Sequence, residues 1–167
     1  MRYNVSPVMN TSSPNLLLRL LPAILPLAVN WAKRRESAIL SSGKPLDERE
    51  LAAAAFVGVA HPERIRILEV ERIPLPKMPL LNLAARLTGL MSENTAGMAL
   101  RYGIYVRREY SGNLHLIAHE CVHTARYERF GGFTPFLRQY IRECLEVGYL
   151  NSPLEREAIS RSEIFGT

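Results

Sequence analysis

Apolar and polar positions change period several times along the chain, and each change predicts an element. From Leu16 to Val29 (LLLRLLPAILPLAV) the sequence is almost wholly apolar. That stretch is too short for a spanning helix and is broken by Arg19, Pro22 and Pro26. It has the length of a signal-peptide core, but no small-x-small cleavage site follows. Asn30, Trp31 and the basic Lys33, Arg34 and Arg35 come instead. The expectation is a segment packed against the domain. Peripheral membrane contact through residues 16–35 is the second reading and cleavage the third. Upstream, residues 1–15 are polar, carry Pro7 and Pro14, and read as a loose arm. The remainder, 16–167, reads as one domain. A helix is predicted from Asn30 as N-cap to about Ser42, with Gly43 and Pro45 as stop signals. Asp47 and Glu50 form a capping box that opens a second helix, Glu48 to about Val59.

The period then shortens. Residues 64–73 (RIRILEVERI) favour a strand, and Pro74, Pro76 and Pro79 make an extended connection before a short helix ending at Gly89. Over 98–107, Met98, Leu100, Tyr102, Ile104 and Val106 alternate with Ala99, Arg101, Gly103, Tyr105 and Arg107, which predicts one strand with one apolar face. Helical periodicity returns from about Asn113 to Phe130 and stops at Gly131–Gly132. A further helix opens with Thr134 as N-cap and Pro135 at its first position and closes at Gly148. The last opens at Ser152–Pro153. Helices, strands, then helices make the fold α+β.

Length and composition narrow the function. At 167 residues the chain suits one core and one site. Its net charge of +5 is spread over Arg-rich helix faces with no dense basic tract, so no nucleic-acid partner is expected. The two cysteines, Cys121 and Cys144, fall in predicted helices and read as buried free thiols of a reducing compartment, hence a cytoplasmic location.

The candidate chemistry lies at residues 119–123, His-Glu-Cys-Val-His. Histidines four apart on a helix differ by about 400°, so His119 and His123 share a face one turn apart. Their imidazoles can meet one zinc ion at roughly 2.0–2.1 Å. Glu120, about 100° around the helix, stands beside such an ion. There it can take a proton from metal-bound water and return it to a leaving amine. Cys121, two residues from each histidine, points elsewhere. The plain alternative is a helix whose histidines are ordinary polar or core residues. A catalytic zinc needs a third protein ligand. No histidine follows His123, Cys144 reads as core, and the acidic segment downstream offers Glu155 and Glu157.

With HECVH at 119–123 and E-R-E-A at 155–158, the sequence resembles the gluzincin branch of the zincin metallopeptidases over about residues 95–165. The resemblance implies a compact zincin-like domain and a zinc-dependent hydrolase acting on a peptide or protein substrate. It makes Glu155 the third ligand, because the small residue three positions on is Ala158. It also implies that the strand before the metal helix is a sheet edge able to pair with extended substrate. An ordinary half-buried strand is the alternative there, as a Ser152–Glu155 capping box is for Glu155. Ile159 stands where the family often has an acidic residue, and neither histidine nor tyrosine follows Glu155 as an oxyanion donor. Tyr149 or an arginine is left as the candidate donor, with His115 a candidate neighbour of the ligands. These departures support a second expectation, a zinc-binding protein of the same fold that acts as a binding or scaffolding module without catalysis.

Overall fold

The computed structural model describes residues 13–92 and 94–166. Among them the chain forms six α-helices and one mixed four-stranded sheet, an α+β fold. In order these are α1 (Ser13–Ser42), β1 (Lys44–Pro45), α2 (Glu48–Phe56), β2 (Arg66–Val70), α3 (Pro79–Thr88), β3 (Gly97–Leu100), β4 (Gly103–Arg107), α4 (Leu114–Phe130), α5 (Phe133–Val147) and α6 (Pro153–Ser162). The sheet order is β1-β2-β4-β3, with β2 parallel to β4 and the other pairs antiparallel.

The helix expected to start at Asn30 begins at Ser13, so the arm expected over 1–15 lies outside the described residues only up to residue 12. Pro22 and Pro26 each remove one intrahelical hydrogen bond, yet both lie on the exposed side of α1. The opposite side carries Leu17, Leu21, Ile24, Ala28, Ala32 and Ile39, buried at helical spacing, and this packing outweighs the local preference. The uninterrupted helix also corrects the length argument. Leu16–Ser42 is long and apolar enough to cross a membrane by length and composition, and a third (33%) of its most apolar window is buried within the molecule.

The single strand expected over 98–107 is a hairpin. β3 and β4 join through a two-residue turn at Arg101–Tyr102, with Arg101 at φ 60°. Across such a turn facing partners differ in parity, so even-numbered positions change face. Because both faces of β4 are buried, the even-numbered apolar pattern runs on unbroken and does not reveal the reversal. The turn thus redistributes the faces. Met98 pairs with Tyr105 and Leu100 with Gly103, while Ile104 and Val106 lie on the other face. Leu100 and Tyr105 join the core built by α1, α3 and α5; Ile104 and Val106 join the one built by α2, α4 and α6. At Gly103 an added Cβ would stand 3.0 Å from Ile39 side-chain atoms, so glycine lets α1 lie close against β4.

Smaller differences concern ends. The second strand is confined to Arg66–Val70, and α2 stops at Phe56 although its Asp47–Glu50 capping box forms. Helix α5 starts at Phe133 after Gly132 rather than after Thr134, because the Phe133 ring is buried (5% exposed) against Tyr127. Asn113 and Ser152 cap α4 and α6 through their side chains.

Candidate metal centre

Helix α4 carries His119, Glu120 and His123 into the interior, and α6 brings Glu155 to meet them. The approach is close because Ala158, one turn past Glu155, is small and fully buried (0% exposed) in the core shared with Cys121 and Val122 on α4. His119 Nε2 lies 3.3 Å from Glu155 Oε1, and His123 Nε2 lies 3.3 Å from Glu155 Oε2. One ligand atom from each of the three falls within 4.8 Å of the others. A neutral imidazole with its lone pair toward a carboxylate presents acceptor to acceptor, so this arrangement calls for a cation or a proton between the groups. Two nitrogens and one oxygen at this separation suit a borderline-soft divalent ion such as zinc. The Nδ1 of His123 is buried and has no hydrogen-bond partner among the described residues, so it lacks the outer support usual for a ligating histidine.

Electrostatics follow the same contacts. Burial alone would raise Glu155, but hydrogen bonds from His119 and His123 outweigh it and hold the carboxyl well below its ordinary range. Burial lowers His119, while Glu155 and Glu120 more than compensate and hold it above the usual value. Two tyrosines complete the surroundings of Glu155: Tyr140 donates to Oε2 at 2.7 Å and Tyr149 to Oε1 at 2.9 Å. Burial, with the Glu155 charge behind it, pushes both phenols upward, so both remain donors at neutral pH. The Glu155 carboxylate is therefore not folded back onto the Ser152 amide as in a capping box; only the Ser152 hydroxyl makes its half, accepting from the Glu155 amide.

Glu120 is buried (5% exposed) and lies outside the three-residue cluster, against β3. Burial raises its carboxyl, and the neighbouring His119 and His123 only partly offset this. A Cβ at Gly97 would come within 2.7 Å of Glu120 Oε1. β3 is an edge strand. Ala96 accepts from the Arg107 amide, and the same register turns Met98 and Leu100 toward β4. The peptide groups of Gly97 and Ala99 thus face the open edge beside Glu120.

The other expected residues divide cleanly. Glu157 bonds Arg126 and Arg161 and stays out of the cluster. Tyr149 adjoins Glu155, whereas none of the arginines among the described residues lines the adjoining cavity. His115 is exposed on the cavity rim. Cys121 and Cys144 are buried free thiols. Sequence reasoning missed Tyr140, Gly97 and Glu143. Glu143, buried on α5, accepts from the Ser152 hydroxyl (3.1 Å) and the Leu154 amide (3.0 Å) and so fixes the start of α6. An acid among Tyr140, Ile141, Cys144 and Leu145 on an apolar helix face was the available signal. The cluster opens onto a cavity of about 770 Å³ between α1, α3, α5 and β3. No family model, curated protein or solved structure matches this chain.

Proposed function

We propose that this chain is a zinc-dependent peptidase, in the manner of the gluzincins that its HECVH and EREA segments resemble. His119, His123 and Glu155 hold the ion and Glu120 moves the proton. One convergence carries the reading: three ligating side chains from two helices face one another at the wall of a cavity, with a separate buried carboxylate beside them. When bound, zinc supplies an acidified water and polarises a carbonyl. Glu120, buried against β3, accepts a proton from the attacking water and hands it to the leaving amine nitrogen. Tyr140 and Tyr149 orient Glu155, and the Tyr149 hydroxyl on the cavity wall, on turning its one proton away from Glu155 Oε1, is the donor we assign to the substrate carbonyl oxygen. The open edge of β3 aligns the backbone of an extended peptide or protein substrate. Buried reduced cysteines suit a cytoplasmic location, with α1 available for peripheral membrane contact. No nucleic-acid partner is proposed.

The test is metal content together with cleavage of a mixed peptide library. Wild type and Glu120→Gln are expected to carry near-stoichiometric zinc, with cleavage about 100-fold or more lower in the variant. Zinc in both proteins and cleavage in neither would replace the peptidase by the binding-module reading.

A further inference from the structure

The metal centre opens on a cavity of unusual charge for this protein. The chain carries 21 Lys and Arg residues, yet among the described residues no Lys, Arg or Asp lines the cavity. Its histidines and glutamates, His115, His119, Glu120, His123 and Glu155, all belong to the metal end. The helical walls are mainly apolar, with Leu21, Ile24 and Ala28 from α1, Leu81 and Ala85 from α3, and Ile141 from α5, while Ser92, Asn94 and Thr95 before β3 add polar groups without charge. The apolar character reaches the surface at Leu150, which lines the cavity beside α6 and is exposed.

A charged group entering such a space loses its hydration and finds no counter-charge, whereas an apolar group gains from leaving water. A terminal carboxylate would need a cation in the wall. A terminal ammonium would need an acid other than Glu120 and Glu155, which are already engaged. The lining supplies neither, so the occupant is the interior of a chain and not its end. The edge of β3 then decides between an acyl chain and a polypeptide. The peptide groups of Gly97 and Ala99 turned outward there can pair with another backbone, and an acyl chain has no use for them.

We propose that the substrate is an internal, extended run of apolar residues in a polypeptide, paired along β3 with its side chains in the cavity between α1, α3 and α5. Its cleavage rests on the peptidase reading above; its binding does not, and the two are tested apart.

The probe is a short fluorescein-labelled peptide of Leu, Val, Phe and Ala, blocked at both ends, titrated against zinc-loaded Glu120→Gln protein and followed by anisotropy. Matched peptides carry Lys or Asp at alternate positions, and N-dodecanoyl-glycinamide serves as an acyl competitor. The apolar peptide is expected to bind about tenfold or more tighter than either charged peptide and to resist the acyl competitor. Ala85→Trp, which fills the cavity wall, is expected to weaken it by a similar factor at unchanged zinc content. Should Ala85→Trp fail to fold, the peptide series alone decides. Equal affinity for charged and apolar peptides overturns the proposal, and so does displacement by the acyl competitor at lower concentration than by unlabelled peptide. Selective binding without cleavage by wild type leaves the apolar specificity standing and removes the hydrolase.

Discussion

Gly97 lacks a side chain where Glu120 needs the room. An added methyl at 2.7 Å from Oε1 must push the carboxylate, the strand or both. Overpacking of this kind costs about 1–3 kcal/mol. Gly97→Ala is expected to keep its zinc and its fold while cleavage falls about tenfold or more, because in the proposed mechanism the displaced group moves the proton and holds no metal. Zinc analysis beside steady-state kinetics checks it, and loss of zinc would mean the strain reaches the ligands. The two tyrosines act differently. Tyr140→Phe removes the 2.7 Å bond to Glu155 Oε2 and is expected to weaken zinc binding by about 10–100-fold in chelator competition. Tyr149→Phe should weaken zinc similarly and in addition lower kcat in the fully loaded enzyme; an unchanged kcat would remove it as the carbonyl donor. His119, Glu120 and His123 were legible in the sequence because helix geometry relates them locally. Glu155 was legible only through resemblance, since Ser152 explains it equally well as a cap. Gly97, Tyr140 and Glu143 were not, because their relation to the site exists only across packed elements.

At the scale of elements, the candidate metal centre is a meeting of α4 with α6, and α5 sets where α6 begins. Glu143 accepts from the Ser152 hydroxyl, the Leu154 amide and the Gln139 side chain while buried at 8% exposure. Glu143→Ala leaves buried donors without a partner and is expected to destabilise the fold by about 1–3 kcal/mol in denaturant titration. The more specific consequence is that zinc should stabilise this variant less than wild type, because a loosened start of α6 lets Glu155 drift. An equal zinc increment in the two proteins would confine Glu143 to folding. Helix caps were readable at this scale because Asp47, Asn113 and Ser152 act within one turn. The continuity of α1 and the turn in the 98–107 segment were not. The prolines signal a break that buried packing overrides, and burial of both faces of β4 hides the change of face that the two-residue turn makes.

For the whole molecule, an ion held between α4 and α6 is a cross-link available only to the folded state. Zinc at about 100 times its dissociation constant adds about 2.7 kcal/mol to the cost of unfolding. The cysteines can read this out. Cys121 (0% exposed) and Cys144 (4% exposed) lie in the two cores on either side of the sheet, and burial pushes both thiols above their ordinary range. Neither is expected to react with iodoacetamide at pH 8 until the structure opens. Where alkylation follows global opening, that much zinc should slow it about 100-fold at both positions. His123→Asn should abolish the zinc effect while leaving the slow metal-free reaction in place. Protection of Cys121 alone would show that the ion ties down only the α4–α6 side and that the core around α1 opens independently. Protection of neither, with zinc bound, would mean that thiol access does not pass through separation of α4 from α6.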